Sequence, residues 1–211
     1  MNSIFSFRNT ILFFTVLLLN ACDRQKQIES VKNEKKLMVV NEPLLVPSFK
    51  LDTALININL DDTTSYKRSF KRLEDHHTLP EDNNHESTYT EFVNFDSTQK
   101  MTAYFHKNTP DYYVSEFKVE KGGADKNSHE LQMVGHFKTN NGIRLKMTKK
   151  EVEQRIGIPI SKFNLNGQEV WEYELKGNYV YLKTHNKNKY YARYIFENEK
   201  LVVMRFGFAP E

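Results

Sequence analysis

Towards its C-terminal end the chain alternates. "EVWEYEL" (169–175) sets Trp171, Tyr173 and Leu175 against Glu172 and Glu174, the period of a strand with one buried face. "NYVYLKT" (178–184), "KYYARYIFE" (189–197) and "KLVVMRFGF" (200–208) follow across short polar links, which predicts a four-stranded antiparallel meander. In 189–197 the alternation puts Tyr190, Ala192, Tyr194 and Phe196 on one face and Tyr191, Arg193 and Ile195 on the other. Upstream the period changes. "NGIRLKMTKKEVEQRIGIP" (141–159) contains Thr148-x-x-Glu151, a capping box, with Met147 and Val152 spaced as a hydrophobic staple. Val152 and Ile156 share a helical face, and Gly157 supplies the C-terminal turn. Ile158 is expected to fold back on Val152, and Pro159 forbids continuation. The spacing predicts a short helix with both ends specified.

The first half repeats this layout. Ile56, Ile58 and Leu60 lead into "DDTTSYKRSFKRL", where Asp62 can cap a helix that carries Tyr66, Phe70 and Leu73 on one face. Strands are expected at 87–95, 100–107, 111–119 and 130–137. The halves share a plan, one helix and then four strands, without a recognisable sequence repeat.

The N-terminus follows a different pattern. Arg8 is the one charge in residues 1–21, and the apolar run Ile11–Leu19 is too short for a bilayer span but has the length of a secretory core. It ends Leu19-Asn20-Ala21-Cys22, which resembles a bacterial lipobox. That resemblance implies that Cys22 becomes the first mature residue and carries lipid on its sulfur and its amine; several acyl chains anchor far more firmly than one. A membrane-anchored or cleaved soluble protein with an unrelated cysteine is the alternative. The residues after Cys22 are almost entirely polar and read as a tether. Met38–Val40 and Leu44–Val46 are expected to dock on the folded part or add an edge strand.

Composition narrows the chemistry. A net charge of +3, with both signs interspersed, gives no basic stripe of the kind nucleic acid requires. Cys22 is the only cysteine, so an intramolecular disulfide is impossible. "KGGADK" (121–126) lacks the Gly-Lys-Ser/Thr ending of a phosphate loop, and neither a Gly-x-Ser-x-Gly elbow nor a His-Glu-x-x-His helix is present. The stretch 74–87 gathers Glu74, Asp75, His76, His77, Glu81, Asp82, His85 and Glu86. It reads as a solvated or partner-contacting loop, because no fixed helical spacing orients two histidines towards one metal.

The C-terminal third also resembles the small outer-membrane lipoproteins of the BamE/SmpA type. Gly142, Met147, Thr148, Lys149, Val152, Gly157, Pro159, Trp171, Tyr173, Phe196, Asn198 and Leu201 match that pattern; Lys146 and Ile156 depart from it. A doubled unit of this kind looks like the β-lactamase-inhibitor-protein fold. The resemblance implies protein binding rather than catalysis, and the additional N-terminal half departs from the single-unit assembly factor.

The expected fold is therefore α+β: one or two units of a short helix packed on a four-stranded antiparallel meander. The expected organisation is a signal peptide (1–21), lipidated Cys22 with its tether (22–47), an N-terminal unit (48–137) and a C-terminal unit (138–211). The expected function is that of a membrane-anchored, non-enzymatic protein-binding lipoprotein facing the periplasm, on the cell membrane or the outer membrane, with an assembly or scaffold role. The alternative is an inhibitor or immunity lipoprotein that blocks an envelope-active hydrolase or toxin. No catalytic residue, metal, cofactor, nucleic acid or small-molecule substrate is expected. The expected partner contacts are Trp171, Tyr173, Tyr181, Tyr191 and Tyr194, since Tyr and Trp dominate interface hot spots.

Overall fold

A computed structural model describes residues 44–70, 87–106, 113–124 and 128–209 of the chain. Cys22 with its leader, Met38–Val40, Leu73 and the 74–86 part of the acidic, histidine-rich stretch lie outside these residues.

Capping chemistry sets the helices where the sequence placed it. In α1 (Thr63–Ser69) the Thr64 N–H donates to Asp62 Oδ1 at 2.9 Å. Tyr66 and Phe70 turn inward, and Phe70 stacks on Phe92 at 4.5 Å between ring centroids. In α2 (Lys149–Ile156) both arms of the capping box form: the Glu151 N–H donates to Thr148 Oγ1 at 3.2 Å, and the Thr148 N–H to Glu151 Oε2 at 2.7 Å. Met147, Val152 and Ile156 are buried. Ile158 does not fold back; it is 71% exposed, while Pro159 turns inward.

The strands are β1 (Ala54–Leu55), β2 (Ile58–Asn59), β3 (Ser87–Asn94), β4 (Gln99–His106), β5 (Glu116–Lys121), β6 (His129–Leu131), β7 (Ser161–Leu165), β8 (Gln168–Lys176), β9 (Lys189–Glu197) and β10 (Lys200–Phe208). β1 and β2 pair as a small separate sheet. The other eight form one mixed sheet in the order β6-β3-β4-β5-β10-β9-β8-β7, in which only β3–β6 is parallel.

This overturns the expected fold of one or two helix-on-meander units. The protein is mostly β, and the two runs of strands are joined side by side through β5 and β10, with Phe117 opposite Phe206 and Val119 opposite Met204. A four-stranded unit would leave two open edges, and pairing β5 with β10 removes one from each run. Gly207 permits the close approach. A Cβ there would collide with the Ser115 carbonyl oxygen and Glu116 Cα.

Three elements depart from their expected form. Residues 178–184 are not a strand: Val180–Thr184 form a short helix, α3, which buries Leu182 and stacks Tyr181 on Phe208. β8 and β9 already pair directly, down to Lys176 opposite Lys189, so the ladder has no place between them. β7 was unforeseen, although Asn166-Gly167, both at positive φ, is the two-residue turn that closes its hairpin with β8. The expected strand 130–137 shortens to β6, because the chain turns back at Val134, whose N–H donates to the Leu131 carbonyl at 3.0 Å.

The described helices and the β1–β2 pair share one core with a single face of the sheet, here the inner face. That face supplies Phe92, Met101, Phe117, Phe206, Tyr194 and Tyr173, all essentially inaccessible. Leu45 joins only by backbone: its N–H donates to the Asn178 carbonyl at 2.8 Å, and its side chain stays half exposed.

Candidate functional site

Strand parity assigns the remaining side chains to the outer face, and the register arranges them in rows. Phe163, Val170, Ile195 and Val203 lie side by side across β7, β8, β9 and β10. Two residues along the strands, the next row is Ser161, Glu172, Arg193, Arg205, Lys118 and Thr102. The third is Glu174, Tyr191, Gly207, Glu116 and Tyr104. Across β7–β10 the outer face thus grades from an apolar band, through a charged band, to an aromatic and acidic one, while on β5 and β4 the first row continues as Glu120 and Lys100. The apolar band reaches solvent at Phe163, and Leu165 beside it is 54% exposed.

Glu172, Arg193 and Arg205 of the second row and Glu174, Tyr191, Glu116 and Tyr104 of the third line a cleft of about 340 Å³. Gly207 lies in the ladder between Tyr191 and Glu116. Neighbouring strands run about 4.8 Å apart, so Tyr191 and Glu116, two strands apart, stand roughly 10 Å from each other along the sheet. With no side chain at Gly207 between them, the Tyr191 hydroxyl reaches across and donates to Glu116 Oε2. Arg205 Nε donates to the other oxygen, Glu116 Oε1. The guanidinium then lies over the Tyr104 ring, 5.3 Å from its centroid. Glu116 is 1% exposed, so a buried carboxylate organises the centre of the cleft.

Around this centre, Arg193 donates from Nε and Nη2 to Glu172 Oε1 at 2.9 and 2.5 Å, and Lys189 pairs with Glu174 at 2.6 Å. Burial pushes the Tyr191 hydroxyl well above its ordinary range, and the Glu116 charge adds to this. For Arg205 burial acts against the charged form, but the attraction and hydrogen bond of Glu116 outweigh it and hold the guanidinium protonated. At neutral pH the Arg205 guanidinium is charged and Tyr191 is a neutral donor.

The expected partner residues divide. Trp171, Tyr173 and Tyr194 lie in the core on the inner face, each 2% exposed or less. Their polar atoms are used internally: Trp171 Nε1 donates to Glu169, Tyr173 to the Gly157 carbonyl and Tyr194 to Asp52. Tyr181 is half-buried on α3, against Phe208 and Tyr190. Of the five, Tyr191 and Tyr173 border the cleft, and only Tyr191 does so with a side chain on the outer face. Sequence reasoning missed Glu116, Arg205, Tyr104 and Gly207. Their signal was parity: Arg205 and Gly207 interrupt an otherwise apolar strand, and Glu116 alternates with Phe117 and Val119.

Among the described residues, no three His, Cys, Asp or Glu side chains converge as a metal site, and no helix is long and apolar enough to cross a membrane. No family model, curated protein or solved structure matches the chain.

Proposed function

We propose that the protein is a lipid-anchored, non-enzymatic protein-binding module of the bacterial cell envelope, held to a membrane through Cys22 and docking an envelope protein on the outer face of its sheet. The observation that carries this reading is the division of the sheet. One face is consumed by the core, while the other sets an apolar band beside a cleft walled by Tyr104, Tyr191, Arg193 and Arg205. Tyr and Arg anchors next to a desolvating apolar strip are what interface hot spots are made of. The lipobox-like Leu19–Cys22 and the polar tether support placement at a membrane surface. An assembly or scaffold role follows from the likeness of the C-terminal third to the BamE/SmpA lipoproteins.

The test uses the anchored protein, purified from solubilised membranes with whatever it holds. Changing Phe163→Asp together with Ile195→Asp should reduce the captured partner at least tenfold without unfolding the sheet. Cys22→Ser should move the protein out of the membrane fraction. Capture that is unchanged by the double substitution contradicts the docking face; membrane association that survives Cys22→Ser contradicts the anchor. The identity of the captured protein separates an envelope subunit from a secreted hydrolase or toxin, the target an inhibitor would hold.

A further inference from the structure

Arg193 and Arg205 stand directly opposite each other on β9 and β10. Like charges in that position destabilise a sheet, so the arrangement calls for a reason. Each arginine has its own carboxylate on the side away from the other: Glu172 for Arg193 and Glu116 for Arg205. The two carboxylates fix the guanidinium planes but do not use all their donors. Arg205 is bonded to Glu116 through Nε and its guanidinium also meets the Tyr191 hydroxyl, while among the described residues Nη1 of Arg193 has no hydrogen-bond acceptor. Tyr104 holds the Arg205 plane from one side. Both arginines line the cleft, with side chains 47% and 33% exposed.

We propose that this pair is a receptor for a single carboxylate, and that the group it takes is an acidic side chain of the docked protein. A carboxylate between the two guanidinium groups would accept from both and offset their mutual repulsion. The surroundings select the charge of the ligand. Glu116, Glu172 and Glu174 line the cleft together with Arg193, Arg205 and Lys189, so the formal charges balance, and the second charge of a dianionic phosphate adds desolvation cost without a net attraction to offset it. They also select its form, because every donor is a side chain and there is no nest of backbone N–H groups of the kind that captures a chain terminus. The inference rests on the protein-binding reading for the source of the carboxylate, and adds the chemistry of the partner's anchor.

The test is a titration of the full-length protein in detergent micelles, with the arginine Nε–H groups followed by NMR. The probes are acetyl-Ala-Glu-Ala-amide, its Gln counterpart and inorganic phosphate. The Glu peptide should move the Arg193 and Arg205 signals saturably, the Gln peptide should not, and phosphate should bind more weakly than the Glu peptide. Arg205→Lys keeps the charge and loses the fork, and should weaken the Glu peptide about tenfold. Arg193→Lys, at the more exposed site, should do the same and serves if Arg205→Lys does not fold. Equal responses to Glu and Gln, tighter phosphate binding, or full affinity in a folded Lys variant each overturn the assignment. If partner capture depends on Phe163 and Ile195 while the Glu peptide leaves the arginines unmoved, the carboxylate site is wrong and the docking face stands. If the peptide binds and no partner is captured, the site stands without the docking face.

Discussion

Strand β9 presents tyrosines to both faces of the sheet, and the two faces use them differently. Inside, Tyr194 donates to Asp52 Oδ2 and Tyr190 to the Asp52 carbonyl at 2.8 Å, so both hydroxyls end on one residue that is 1% exposed. Among the described residues no cation is a partner of Asp52; Asn141 Nδ2 donates to it at 2.9 Å, and Thr139 is hydrogen-bonded to it as well. Outside, Tyr191 also donates to a buried carboxylate, Glu116, but there the charge is balanced by Arg205. The inner pair pins β9 to the layer beneath it and has no spare donors to offer a partner. The outer pair leaves guanidinium nitrogens facing a cleft. A tyrosine–carboxylate contact therefore identifies neither core nor site; whether a cation stands beside it, and on which face, decides.

Substitution should separate the faces by size of effect. Tyr194→Ala removes a fully buried ring and should cost about 3–5 kcal/mol. Tyr191→Ala, from a half-buried position, should cost less than half as much, on the order of 1–2 kcal/mol. Urea titration of the two variants checks this. Equal losses would mean that the outer face is as much a part of the core as the inner one.

Acid–base behaviour gives a smaller contrast. Burial raises the Asp52 pKa, against hydrogen bonds from Tyr194, Thr139 and Asn141 that lower it. A carboxyl group with a raised folded-state pKa holds its proton more tightly folded than unfolded. Its contribution is therefore largest at low pH and is lost as pH rises from about 4, the ordinary carboxylate value, to the folded value. Across that window stability should decline by up to about 1.4 kcal/mol per pH unit from this group. Asp52→Asn keeps the shape and an acceptor, and should flatten the decline. Denaturant midpoints across a pH series measure it; an unchanged slope in Asp52→Asn would show that Asp52 is not the group responsible.

Much of the fold could be read locally, and the parts that could not have physical causes. The α2 capping box and the parity of β9 depend on neighbours a few residues away, and both appear as expected. Tyr179, Tyr181 and Thr184 read as strand because aromatic and β-branched residues suit strands, but the direct pairing of β8 with β9 excluded them from the ladder. The merger of two meanders into one sheet depends on β5 meeting β10, a contact between residues 89 apart in sequence. The facing arginines depend on something smaller still. Counted back from the Asn198-Glu199 turn, a regular hairpin would set Arg193 against Met204. An irregularity between Leu201 and Val203 shifts the register by one and brings Arg205 opposite instead. Composition at that position gives no sign of the shift. The candidate site was thus legible as a face, through Tyr191, Arg193 and Ile195, and not as a cleft.

Under the proposed function the outer face docks a protein and the covered side does not. Photo-crosslinking in intact membranes tests it most directly, with a photoreactive phenylalanine analogue placed at Phe163 or Ile195 on the outer face and at Lys150 or Lys183 on the exposed sides of α2 and α3. If the outer face docks the partner, positions 163 and 195 give one discrete cross-linked species and positions 150 and 183 give none. The same species from both sets, or cross-links from the helices alone, would contradict it.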